Sequence, residues 1–198
     1  MRTFAGWHSW AEAEPALAAW LPADVLEKLA EAYRFAAERH GDQTRPAGEP
    51  YVEHLLQVVQ ALVEGAGERA PELLTAALLH DVVEDTPTTM TEVGDTFGAD
   101  VAELVSWVTQ PAAGPNTAVS RAAYLDRLHS APPAVQKLKL ADRMSNVQRL
   151  DTHPRPDRQR AYYLETCTHF VPLAAGFPWF SEWYGEWRTR YAWLASAR

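Results

Sequence analysis

A chain of 198 residues that is 47% hydrophobic and holds eight tryptophans can bury a sizeable core unaided, and its composition excludes disorder. A formal net charge of −8 excludes the broad basic footprint of a nucleic-acid binder, although a local basic pocket can still receive an anionic small molecule. A lone cysteine, Cys167, excludes an internal disulfide and fits a reducing compartment, and no apolar run reaches the roughly 18 residues of a membrane span.

In chain order, the opening "MRTFAGWHSWAEAEP" has no apolar stretch behind basic residues and so does not read as a secretory leader. The expectation is a soluble cytoplasmic protein, with neither nucleic acid nor membrane as partner. "ADVLEKLAEAYRFAAERH" predicts the first strong helix, with Val25, Leu29, Ala32, Tyr33 and Ala36 on one stripe and an end near His40-Gly41. After the polar loop "GDQTRPAGEP", Pro50 opens a second helix through "YVEHLLQVVQALVEGA", stopped by Gly65 and Gly67. The third helix takes in "LLTAALLHDVVEDTP", residues Leu73 to Pro87, and closes at Thr86-Pro87 because the residue before proline is driven out of helical angles.

Thr89 with Glu92 three residues on predicts a capping box for a short helix, and "ADVAELVSWVTQ" predicts another. "PAAGPNTAV" is the most loop-like segment, either a lid or a plain connection. Helical patterns resume at "SRAAYLDRLHSA", "PAVQKLKLADRMSNVQRL" and "DRQRAYYLETCTHFVPLAAGF". The terminal "PWFSEWYGEWRTRYAWLASAR" puts Trp183, Trp187 and Tyr191 at intervals of four, a packing stripe. With no run of alternating β-branched residues, the expected class is all-α, in one domain over residues 1–198 whose tryptophan-rich C-terminal helix, about 178–198, packs on the rest.

The third helix poses a problem. His80, Asp81, Glu84 and Asp85 crowd two turns of an otherwise apolar segment, where unpaired charge is costly to bury. On a continuous helix they share one face, within an arc of about 140°. His80 and Asp81, as sequence neighbours, diverge by about 100° and can share an ion only if it sits between them. Two further polar residues interrupt apolar runs on other helices: His54 in "PYVEHLLQVV" and Asp142 in "KLKLADRMSN". One cation would satisfy all of them together, and a mixed nitrogen and oxygen donor set suits Mn, Fe, Co or Zn.

"HGDQTRPAGEPYVEH", "LLHDVVEDT" and "KLADRMSN" resemble the three signatures of the HD-domain phosphohydrolases, in particular the (p)ppGpp hydrolase branch, and "ETCTHFVPLAAGF" resembles a further helix of that branch. The resemblance runs from about Leu26 to Phe177 and is of the length of the free-standing small hydrolases, with no synthetase or regulatory domain expected to follow. It implies an HD-domain helical bundle with a metal site at its centre, held by His54, His80, Asp81 and Asp142 and filled by Mn2+. Glu84 and Asp85 match the family's acid/base pair, Arg45 its purine-stacking arginine and Asn146 its nucleotide contact, with Lys139 and Arg143 flanking them as further substrate contacts.

The activity implied is removal of the 3′-pyrophosphate from ppGpp or pppGpp, giving GDP or GTP, with a guanine nucleotide as partner and a homo-oligomer left open. One residue departs from the pattern: Pro46 stands where the family commonly has a lysine. That keeps open another nucleotide substrate, an adenine alarmone or the 2′-phosphate of NADPH. A catalytically silent alarmone-binding module is the rival from another class, and none of its expected motif losses occurs in this sequence.

Overall fold

The structure, a computed structural model, describes residues 1–110 and 117–196. Among these there is no strand, only an isolated antiparallel bridge between Thr44 and Pro50. The expected all-α class is therefore what the chain adopts.

The helices, in order, are α1 (Trp10–Leu17), α2 (Ala23–His40), α3 (Tyr51–Gln60), α4 (Pro71–Leu79), α5 (Val82–Asp85), α6 (Met90–Phe97), α7 (Ala99–Val108), α8 (Thr117–Leu128), α9 (Pro133–Val147), α10 (Pro156–Glu165), α11 (Val171–Ala174), α12 (Pro178–Arg190) and α13 (Trp193–Ser196). Of the loop-like segment "PAAGPNTAV", residues 111–116 lie outside the described residues; helix α8 starts at Thr117, inside it.

α4 is the axis of the bundle. Pro71 at its first turn has no backbone N–H to leave unsatisfied, and residues Leu73 to Leu79 are all buried. α2, α3, α7 and α9 pack around it, and α3 also packs on α9. Each leucine sealed in this way contributes about 1.5–3 kcal/mol relative to exposure, which fixes the end of α4 firmly in the centre. The predicted stripe of α2 behaves as expected: Val25, Leu29, Ala32 and Ala36 are buried and Tyr33 partly so.

Four local departures matter. The predicted third helix is broken: α4 stops at Leu79, His80 and Asp81 form a joint, and α5 is a single turn. The second helix widens into a π turn at Ala61–Gly65 before Gly67, at φ +72°, ends it. A second π turn, Thr166–Phe170, precedes Pro172, which has no N–H to give the regular ladder. Thr89 accepts from the Glu92 N–H at 3.2 Å as predicted, whereas the Glu92 carboxylate pairs with Arg39 on α2 instead of closing the box.

The C-terminal aromatic stripe packs as predicted. Trp183, Trp187 and Tyr191 are buried, and the Trp187 indole donates to the Val147 carbonyl at the end of α9 at 2.9 Å. The predicted single helix ends at Arg190 and resumes as α13. The N-terminal segment, for which the sequence suggested no structure, contains α1, and Phe4 and Trp7 ahead of it join the same continuous core.

Candidate metal centre

Four side chains from three helical segments converge at the C-terminal end of α4. His54 comes from the first turn of α3, His80 and Asp81 from the joint after α4, and Asp142 from the middle of α9. The two imidazole Nε2 atoms are 3.2 Å apart. Asp81 Oδ2 is 3.4 Å from the first and 3.1 Å from the second. Asp142 Oδ1 stands opposite, 3.4 and 3.7 Å from them.

The broken helix explains how neighbours can both reach this point. Asp81 has φ −105° and ψ −5°, at the edge of helical space, and His80 Nε2 and Asp81 Oδ2 meet at 3.1 Å across the joint. His80 is sealed at 1% exposure, His54 at 2% and Asp142 at 6%, while Asp81 is half-buried. Glu84 and Asp85 lie exposed at the mouth. A buried helix carries this much charge because two carboxylates face the imidazoles and the other two face solvent.

The donor set fits a divalent cation. His80 Nδ1 lies 2.8 Å from the Ala77 carbonyl, which can only accept, so in the neutral ring the proton sits on Nδ1 and the Nε2 lone pair points to the centre. Asp142 is oriented by Asn146 Nδ2 at 2.6 Å on one oxygen and by Lys139 Nζ at 2.8 Å on the other. Tyr51, one turn before His54, donates to Asp81 Oδ2 at 2.6 Å and contacts Asp85 Oδ2 at 2.7 Å. Ligands held by such outer contacts are characteristic of metal sites.

The electrostatics also favour positive charge here. Burial works to lower the pKa of His80, but the Asp81 carboxylate and the bond to Asp142 overcome it and hold it up at about 10. Burial pushes the two aspartates the other way, and the facing cations win: His80 and His54 hold Asp81, and Lys139 with the imidazoles holds Asp142, well below the usual carboxylate range. Glu84 is exposed at its tip, yet the protein around its carboxylate raises its pKa. The Gln110 N–H at 3.0 Å and the charge of Lys139 only partly offset this.

Arg45 stands beside the centre. The turn Arg45–Gly48 is closed by a Gly48 N–H to Arg45 carbonyl bond of 2.8 Å, with Pro46 at its second position and Gly48 at φ +101°. Proline pre-sets that turn position, so Pro46 stiffens the turn next to Arg45. The Arg45 guanidinium donates to Asn146 Oδ1 at 2.7 Å, which links it to Asp142. Arg45, Pro46 and Asn146 line a cleft together with Gln57, Arg149 and His153.

One predicted substrate contact is not brought here. Arg143 follows Asp142 on α9, and that one-residue step turns it about 100° away. It is buried, donating through Nε to Thr166 Oγ1 at 2.7 Å and through a second nitrogen to the Tyr162 carbonyl at 3.0 Å, and pairing with Glu165 at 2.8 Å. Its role is to fasten α9 to α10 and the π turn. Conversely, Tyr51, Gln110 and Ser145 were not singled out from the sequence, although Tyr51 lies three residues before His54, on the same helix face.

The model of the HD domain matches residues 32–176, which include all four converging residues. The chain belongs to the HD-domain family. Among relatives of this HD domain, the human guanosine-3′,5′-bis(diphosphate) 3′-pyrophosphohydrolase MESH1 is 42% identical over 126 residues, covering 63% of this chain and 70% of MESH1. The Escherichia coli bifunctional (p)ppGpp synthase/hydrolase SpoT is 35% identical over 168 residues, 78% of this chain but 22% of SpoT, so the chain spans about a fifth of that relative's length. The solved structure of a metazoan ortholog of SpoT, a protein that hydrolyses ppGpp, superposes with a TM-score of 0.76 at 27% identity, covering 82% of this chain and 94% of the other.

Proposed function

We propose that this HD domain is a metal-dependent 3′-pyrophosphohydrolase of ppGpp and pppGpp, acting as a single domain in the cytoplasm with Mn2+ as its ion. The observation that carries this reading is the convergence of His54, His80, Asp81 and Asp142 next to two carboxylates at an open mouth, in a chain similar to MESH1. A divalent ion held by these four residues would lower the pKa of water and draw charge off a phosphoryl oxygen.

The chain's own groups supply the rest. Water attacks the phosphorus attached to the ribose, the P–O3′ bond breaks, the 3′ oxygen takes up a proton and pyrophosphate leaves. Asp85, joined to Asp81 through Tyr51, is placed to take the proton of the attacking water. Glu84, whose raised pKa keeps a proton nearer neutrality, is placed to return one to the leaving oxygen. Arg45 offers its planar face to a purine and Asn146 a hydrogen-bonding edge, while Lys139 serves by orienting Asp142.

A second reading shares the chemistry and changes the nucleotide. Pro46 forms part of the cleft wall, so a cation is missing where the family commonly has lysine, and this favours testing an adenine analogue and NADPH beside ppGpp. With Mn2+ supplied, product separation is expected to give GDP and pyrophosphate from ppGpp faster than any product from the other two. Faster cleavage of either alternative would move the specificity to the second reading, and binding without turnover of all three would point to a silent module.

A further inference from the structure

A chain of buried hydrogen bonds runs from the N-terminal segment to the back of His54, and every link in it has a forced direction. At its far end is the backbone of Phe4, a residue 1% exposed. Its N–H, which can only donate, lies 2.7 Å from the Gln148 amide, and its carbonyl, which can only accept, lies 2.9 Å from the other atom of the same amide. One backbone residue thus fixes which atom of Gln148 is oxygen and which nitrogen, a choice usually left open for an amide.

The consequence passes inward. The Gln148 NH2 group faces the Gln57 amide at 3.0 Å, so the atom it meets must be the Gln57 oxygen. Ser145 Oγ lies 2.6 Å from that same oxygen and must therefore donate its only proton to it. Ser145 Oγ also accepts from Arg45 Nη1 at 3.5 Å, and toward His54 Nδ1 at 2.8 Å the hydroxyl has only a lone pair to offer. His54 must then carry its proton on Nδ1, and its Nε2 presents a lone pair to the centre.

We infer that Gln148, Gln57 and Ser145 are positioning residues that set the tautomer of His54, and that the N-terminal segment at Phe4 is the reference from which that direction is read. The segment is fastened for this purpose at several points: the Met1 amine pairs with Glu186, Arg2 pairs with Glu64, and the Trp183 indole donates to the Arg2 carbonyl at 2.6 Å. The inference deepens the metal-centre reading and rests on it for its functional consequence, since only a ligand has use for a directed Nε2 lone pair.

The test reads the tautomer and the metal separately. Gln148→Glu, ionised above pH 8, presents oxygen where the NH2 group stood, which reverses Gln57, turns Ser145 into a donor toward His54 and moves the proton to Nε2. Gln57→Met removes the acceptor and frees Ser145 to do the same in part. Gln57→Glu keeps an acceptor at the same place and serves as the conservative rescue.

Nitrogen-15 NMR of the His54 ring in metal-free protein is expected to show the Nδ1–H form in wild type and Gln57→Glu, and a shift toward Nε2–H in the other two. Mn2+ titration of the same proteins is expected to show about 10- to 100-fold weaker binding in those two alone. An Nδ1–H tautomer retained in both Gln148→Glu and Gln57→Met would overturn the relay. A switched tautomer with unchanged Mn2+ affinity would leave the relay standing and remove His54 from the ligand set.

Discussion

At the residue scale, the centre depends on side chains that aim other side chains. Tyr51 has one phenolic proton and two carboxylate oxygens within 2.7 Å, so it ties Asp81 to Asp85 through a single atom. Tyr51→Phe keeps the ring against His40 and removes that tie. We expect metal affinity or turnover to fall about 10- to 100-fold with thermal stability nearly unchanged, as loss of an outer contact typically does; calorimetric metal titration beside a melting curve distinguishes this from a packing defect.

Proton and metal compete at His80. Its pKa of about 10 in the metal-free fold exceeds the ordinary 6.5, so the folded chain holds this proton more tightly than the unfolded one does. The stability it lends is complete below about pH 6.5 and is lost as pH rises through about 10. A metal needs the neutral Nε2, so its uptake should release a proton, and apparent affinity should climb by about tenfold per pH unit between roughly pH 7 and 9. Titrations in buffers of different ionisation enthalpy count the released proton directly, and a pH-independent affinity would show that His80 is not a ligand.

At the element scale, the joint between α4 and α5 is the decisive feature, and it was the least legible one. Leucine and alanine up to Leu79, then valines at 82 and 83, carry a helical pattern straight through His80 and Asp81. Local propensity gives no reason to stop there, and the break coincides with the point where His54 of α3 and Asp142 of α9 meet His80 and Asp81. On α9, Asn146 reaches back four residues to Asp142, whereas Arg143, one residue on from Asp142, is directed to α10. Arg143→Met should therefore destabilise the chain by ~2–4 kcal/mol in urea unfolding while the KM for nucleotide stays within twofold. A large rise in KM at unchanged stability would return Arg143 to the substrate site.

At the scale of the whole molecule, net acidity is compatible with the proposed anionic substrate because positive groups gather locally. Arg45 and Arg149 line one cleft and Lys139 reaches Asp142, although the chain carries 26 acidic against 18 basic residues. The helical class, the limits of α2 and the aromatic stripe of α12 were legible because each rests on a period of apolar residues. So were the four converging residues, each a polar group in an apolar run. The N-terminal contribution was not, since Phe4 and Trp7 are isolated apolar residues without a period, and the Phe4 backbone finds its partner 144 positions away at Gln148.

The most direct test of the account is pyrophosphate release from ppGpp by metal-stripped protein as Mn2+ is added back, beside Asp81→Ala and Asp142→Asn. The account predicts no release in chelator, recovery in proportion to one bound ion per chain, and a loss of at least about a thousand-fold in both variants, the scale of removing a metal's charge stabilisation. Undiminished release in chelator, or from Asp81→Ala, would contradict it.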